Sequence, residues 1–369
     1  MISRDGRILF ACVYVLVAIG IVMIYSATAV YAGQNYGSSS YYLVRQLFYI
    51  TLGTFALFWA AARPIRFWRD HSRAIMLLGI ALLMVVFVPG IGKTAGGARR
   101  WIHLGGINFQ PAEFAKLAVC LYLADYLSRK RKQINLGSIG VFLPPMILVG
   151  LVCGLILLQP DLGSCAFIFV IVCILFFWAG IRMRYVFLAA LVFVPVLYLL
   201  VIRVPYRLSR VTAYLNPWDD PQGNGFQMIQ SFLAYGAGGI RGVGLGRSVQ
   251  KLFYLPSGHN DFIFSIIAEE LGLVGTLVVI GLFAAVFIAG LKIASRIQQD
   301  YEKILTVSLT LAIVLQALIH MLVATGLVPT KGLPLPFVSY GGTSLVFNLT
   351  VIGLVLGIDR QTPHGRKHK

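Results

Sequence analysis

Apolar residues run through this chain in long stretches, and polar residues are mostly confined to the intervals between them. Ten apolar stretches stand out, at approximately residues 8–31, 42–62, 74–91, 111–127, 139–158, 164–181, 186–202, 262–291, 304–325 and 343–358. Crossing a hydrocarbon core takes roughly 20 apolar helical residues. The pattern therefore predicts an all-α polytopic membrane protein of about ten transmembrane helices, and an even number puts both termini on one side. The first stretch follows a basic start and is longer than the apolar part of a typical cleaved leader, so an uncleaved first helix is expected.

Composition agrees with this reading. Of 369 residues, 58% are hydrophobic and 12% charged, against about 25% charged in average soluble domains. Mean hydropathy is +0.83. Lys and Arg number 31 against 13 Asp and Glu, a formal net charge of +18. The placement of that excess decides its meaning. Nineteen basic residues fall in segments 1–7, 63–73, 128–138, 182–185, 292–303 and 359–369, and ten in 92–110, 203–261 and 326–342. Basic residues flank apolar spans on the cytoplasmic side, so both termini are expected there. The excess then points to anionic membrane lipids rather than nucleic acid. Cys12, Cys120, Cys153, Cys165 and Cys173 all lie in apolar runs without a CxxC pair, as small packing residues do.

The chain reads as a single transmembrane domain over 1–369, with 203–261 as a large extracytoplasmic loop between spans seven and eight. A connection this long is expected to carry function or short helices of its own. It holds the turn-rich PWDDPQGNG (Pro217–Gly225) and the Gly-rich GAGGIRGVGLGRS (Gly236–Ser248).

Candidate chemistry gathers at the outer ends of the spans. Asp261 sits where the long loop meets span eight. A carboxylate inside a bilayer costs roughly 2.5–3.5 kcal/mol on insertion scales, which makes it a functional candidate by default. His259 stands two residues before it, but one His and one Asp are a poor metal set. Glu269 and Glu270 follow about 100° apart on a helix, so they cannot share a role. Glu113 and Lys116 lie one turn apart, either as a structural ion pair or with Lys116 meeting an anionic ligand. Asp161 closes the turn LLQPDLGS, where a turn role suffices. TAGGARRWIHLGGINFQP carries Arg99 and Arg100 between Gly pairs, a weak phosphate signal that an interfacial belt would equally explain. GLPLPFVSYGGTSL opens span ten with Ser339, Gly341 and Gly342, as an interfacial turn or as irregular backbone lining a cavity. An outer site of mixed charge suits a pyrophosphate-bearing substrate and a base.

These stretches resemble the SEDS (shape, elongation, division and sporulation) family, the FtsW/RodA/SpoVE type of polytopic peptidoglycan polymerase. The resemblance is carried in order by GGARRWIHLGGINFQPAEFAKLA, LLQPDLGS, NPWDDPQGNGFQMIQS, GVGLGRSVQKLFYLPSGHNDFIFSIIAEELGLVG and GLPLPFVSYGGTSL, from about residue 94 to 346. The loop motifs look closer to division-type, FtsW-like members. The resemblance implies a glycosyltransferase of cell-wall biogenesis, acting in cell shape or division. It would polymerise lipid II at the outer face of the bacterial cytoplasmic membrane, as a multi-pass protein beside a class B penicillin-binding protein. It implies Asp261 of the H-x-D-F-I-F motif as catalytic acid/base and places Glu113 and Lys116 on the family's PxExxK motif. Substrate contacts are expected from Lys116, Glu113, Arg99, Arg100, Asp161, His259, Ser339, Gly341 and Gly342. Lys116 is favoured for the leaving pyrophosphate, on the view that Glu113 only partly satisfies it. Mg2+ or Mn2+ is the expected cofactor, with no organic one. Ser257, Gly258 and Asn260 depart from the family's EAHTD or ERHTD pattern around the His. A lipid II flippase and a non-catalytic scaffold for a transpeptidase are the alternative functions.

Overall fold

Helices form wherever the apolar runs predict them. The structure is a computed structural model that describes residues 2–95, 98–104, 107–135, 139–180, 183–251 and 260–362. The predicted spans fall on α1 (Arg4–Tyr36), α2 (Tyr41–Ala62), α4 (Ser72–Val85), α5 (Pro111–Asn135), α6 (Leu143–Leu158), α7 (Leu162–Trp178), α8 (Met183–Ile202), α11 (Ile263–Arg296), α12 (Asp300–Ala324) and α13 (Gly342–Gln361). Short helices α3 (Ile65–Asp70), α9 (Pro205–Leu215) and α10 (Phe226–Gly238) connect them. Among the described residues, α1, α2, α11, α12 and α13 are long and apolar enough to cross a membrane by length and composition. The chain is a polytopic helical membrane protein.

α12 and α13 are the most enclosed of these five. α13 packs along α2, α11 lies between α1 and α12, and α5 contacts both α4 and α12. The termini are fastened together. Ser3 caps α1 by accepting from Gly6 N at 3.0 Å, and its own N–H donates to Asp359 of α13 at 2.8 Å. Such a cap contributes about 1 kcal/mol.

Two departures from plain spanning helices shape the end of the bundle that bears the 203–261 connection. One is a small antiparallel sheet, β1 (Gly92–Ala95), β2 (Ala98–Leu104) and β3 (Ile107–Phe109), in the order β1-β2-β3. The alternation in β2 turns Ala98 and Ile102 inward. The other is a break in α11 at Gly272, whose φ of 66° and ψ of −163° lie where essentially only Gly settles. The Gly-rich loop after α10 fills the break. Leu273 N donates to Gly239 O at 2.9 Å, and Val243 N and Gly244 N donate to the carbonyls of Glu269 and Glu270 at 2.9 and 3.1 Å. A Cβ on Gly242 would stand 2.2 Å from the Glu270 carbonyl oxygen. The glycines there are needed for backbone to meet backbone.

Candidate active site

Four separate elements converge on a cavity of about 470 Å3. β2 contributes Arg100, the α6–α7 turn contributes Asp161, α9 contributes Arg207 and Arg210, and the α12–α13 loop contributes Lys331 and Gly332. Asp261, two residues before α11, stands at its edge. A Cβ on Gly332 would lie 3.4 Å from Asp261 Oδ2, so the absent side chain leaves room at the carboxylate. Burial pushes the Asp261 carboxyl up to about 6, against the downward pull of the Arg210 and Arg100 charges. Burial likewise pushes the Lys331 ammonium down, partly offset by Asp161. One acid poised near neutrality thus faces a wall of cations.

Each wall residue is held by local structure. Arg100 donates to the carbonyls of Gln159 and Pro160 at 3.2 and 2.5 Å, tying the sheet to the α6–α7 turn. Asp161 caps α7, accepting from Ser164 N at 3.1 Å and Ser164 Oγ at 2.8 Å. A Cβ on Gly163 would lie 3.6 Å from Asp161 Oδ1 and 3.8 Å from Lys331 Cδ, so acid and ammonium stem flank the same glycine.

Neighbouring residues on a strand point to opposite faces, which separates the two adjacent arginines. Arg99 turns away from the cavity and donates to the carbonyls of Gly92, Val88 and Phe87, at 3.0, 2.9 and 3.2 Å. It binds the end of α4 to β1, and only Arg100 reaches the cavity.

The loop bearing Lys331 is irregular backbone buried deep in the protein. A Cβ on Gly20, midway along α1, would meet the Phe337 carbonyl oxygen at 2.6 Å, so the loop descends to the middle of that helix. Such backbone is tolerated at membrane depth only where protein surrounds it. Gln316 Nε2 donates to Pro334 O at 2.9 Å, and a His320 ring nitrogen lies 2.8 Å from Leu333 O. Ser339 Oγ accepts from Leu335 N and donates to Asn260 O, both at 2.8 Å, and so fastens the loop to the residue before Asp261.

Lys116 lies outside the cavity. Its Nζ donates to Glu113 Oε1 at 2.8 Å and to Gln316 Oε1 at 2.7 Å, with the Phe167 ring 5.0 Å away. Glu113 therefore does not leave it short of partners, because Gln316 completes the set. Through Gln316 the pair braces the Lys331 loop. Gly341 caps α13, and Gly342 lies against the Tyr49 ring, which a Cβ would meet at 2.3 Å. His259, with Ser257 and Gly258, lies outside the described residues. Glu269 accepts from Ser248 Oγ and, at 2.9 Å, from Val249 N. Glu270 accepts from Ser26 of α1 at 2.7 Å and pairs with Lys251 at 3.1 Å. Both glutamates hold the Gly-rich loop.

Lys331, Arg207 and Arg210 were not singled out by the sequence reading. The available signal was Lys331 as the one basic residue in the outer segment 326–342, and arginines spaced i,i+3 in the long loop.

Fold and site together define a polytopic membrane protein with a cationic, acid-bearing cavity at one end of its helices. The chain belongs to the FtsW/RodA/SpoVE family, described as "Cell cycle protein", which matches residues 6–364. The probable peptidoglycan glycosyltransferase FtsW of Coxiella burnetii is 44% identical over 365 residues, 98% of this chain and 97% of the relative. A solved structure titled "Structural coordination of polymerization and crosslinking by a peptidoglycan synthase complex" superposes with TM-score 0.79 at 30% identity, covering 97% of this chain and 98% of that one. The rod shape determining protein RodA of Thermus thermophilus superposes with TM-score 0.72 at 27% identity, covering 97% of each chain.

Proposed function

We propose that this chain is a peptidoglycan glycosyltransferase of the bacterial cytoplasmic membrane, joining lipid II disaccharides at its outer face with Asp261 as general base. Relatives named as glycosyltransferases over nearly the full chain support the activity. One geometric observation carries the base: the Asp261 carboxylate lies against Gly332 at the edge of a cavity whose walls carry Arg100, Arg207, Arg210 and Lys331, and burial pushes that carboxyl up to about 6.

The reaction replaces an α-linked lipid pyrophosphate by a β-1,4 glycosidic bond, so the sugar carbon inverts. Asp261 takes the proton of the acceptor C4 hydroxyl as its oxygen attacks C1. The C1–O bond to pyrophosphate breaks, and its electrons leave with the pyrophosphate. Lys331 and Arg100 oppose that developing charge in a partly dehydrated site, where fixed cations act most strongly. This moves the leaving-group role from Lys116 to the cavity cations. Lys116, Glu113 and Ser339 position the loop and Asp261. Arg99 and Gly342 serve the scaffold.

Among the described residues, no group of three or more His, Cys, Asp and Glu could hold a metal ion. The donors suit an ion arriving with the substrate's phosphates, which needs only one or two carboxylates. Asp161 in the cavity wall would hold such a Mg2+ or Mn2+, which would neutralise pyrophosphate charge and leave Asp261 free as base.

The partner is a class B penicillin-binding protein, in keeping with the complex of polymerisation and crosslinking that the fold matches. The charge bias orients ten spans with both termini cytoplasmic, and the higher identity to a relative named FtsW favours the division type. Asp261→Asn tests the reading: purified variant should bind lipid II and polymerise it about 10²–10⁴-fold more slowly. Normal polymer from it would remove the base from Asp261.

A further inference from the structure

At the opposite end of the helices from the active cavity, the ends of α1, α2 and α13 enclose a second cavity of about 490 Å3. Its walls are apolar. Leu57 and Leu356 are buried beneath it, and Phe58 stands 56% exposed beside Phe10. Two arginines, Arg7 and Arg360, mark its rim. An exposed aromatic wall under a cationic rim matches one end of a lipid to each part of the groove.

The nearby acids are already engaged. Asp5 pairs with Arg296, and Asp359 accepts from Ser3 N at 2.8 Å. Arg360 Nη2 makes one long contact, 3.5 Å to Ala62 O. Among the described residues neither Arg7 nor Arg360 lies within 4.0 Å of a carboxylate oxygen. Arg63 stacks on Trp59 nearby, 5.2 Å from the ring centre. The local balance is strongly positive over an apolar floor. With both termini cytoplasmic, as the proposed topology has it, this groove opens at the inner leaflet, where anionic lipids concentrate.

We infer that the α1–α2–α13 groove is a binding site for an anionic phospholipid of the cytoplasmic leaflet. The phosphate sits between Arg7 and Arg360, and an acyl chain lies along Phe10 and Phe58. The lipid would fasten α1 to the α2–α13 pair at the end remote from the chemistry. The inference rests on the proposed topology but not on the role of Asp261.

Native mass spectrometry of the detergent-purified full chain, titrated with phosphatidylglycerol or phosphatidylcholine, tests this. Phosphatidylglycerol should bind more tightly. Arg7→Gln with Arg360→Gln should weaken it roughly thirtyfold, from about 1 kcal/mol per basic group at a membrane surface. Phosphatidylcholine binding should not change. Phe58→Ala, which removes the exposed apolar wall and leaves both arginines in place, should also lower phosphatidylglycerol binding, and it keeps the test open if the double variant fails to fold. Arg247→Gln, on the far side of the protein, should have no effect. The inference falls if phosphatidylcholine binds equally well, if the groove variants bind phosphatidylglycerol normally, or if millimolar inorganic phosphate displaces the lipid. Lipid II polymerisation by Asp261→Asn reads the catalytic assignment separately, so failure of one leaves the other standing.

Discussion

Asp261 must be ionised to act as base, and its carboxyl titrates near 6 because burial outweighs two arginine charges. The polymerisation rate should therefore rise with pH through about 6 and level off above it, measured as initial rate at saturating lipid II. Lys331→Ala should lower the polymerisation rate at saturating lipid II by about ten- to a hundredfold, the range of one charge-assisted hydrogen bond, with little change in thermal stability. Lys116→Ala should do the reverse. It strands the buried Glu113 carboxylate, a loss of about 3–5 kcal/mol, and thermal unfolding should show it. Glu113→Gln with Lys116→Met should recover most of that stability, whereas unchanged unfolding of Lys116→Ala would contradict the bracing role. The sequence exposed Asp261, because a carboxylate at the mouth of an apolar run is costly wherever it lies. It did not expose Lys331, Arg207 or Arg210, because basic residues beside spans are ordinary and only their convergence marks them. Nor did it separate Arg99 from Arg100, since a two-residue period matters only once the segment is known to be a strand.

The spanning helices were legible because each is a long apolar run, and bilayer thickness leaves little choice of structure. The sheet at residues 92–109 was not. Its strands are short, and its Gly pairs read equally well as phosphate-binding loop. The helices α9 and α10 fall within a loop already expected to carry short helices, though their positions could not be read. The break in α11 was hidden as well, because IAEELGLVG reads as unbroken helix and Gly272 is ordinary until the Gly-rich loop meets it. That meeting is testable. Gly272→Ala would place a Cβ 2.4 Å from Gly242 N in a backbone region that disfavours side chains. It should lower stability by at least about 1–3 kcal/mol and loosen the 242–251 loop, read as faster proteolysis there. Gly281→Ala, with open space around its Cβ, is the control.

Across the whole molecule, the two ends of one set of helices carry different chemistry. One end gathers two acids, a lysine and three arginines from β2, the α6–α7 turn, α9, the segment before α11 and the α12–α13 loop around open volume. The opposite end fastens the termini together through Ser3, Asp359, Asp5 and Arg296. A transporter would need polar groups leading from one end to the other. The buried polar groups Glu113, Lys116, Gln316 and His320 instead pair among themselves or with loop carbonyls and brace the site. The most direct measurement is glycan polymerisation from purified lipid II in liposomes, comparing wild type with Asp261→Asn, each with and without a class B penicillin-binding protein. Wild type should make polymer, more of it with the partner, and the variant should lose about 10²–10⁴-fold with lipid II binding retained. Equal polymer from Asp261→Asn and wild type would contradict the base assignment.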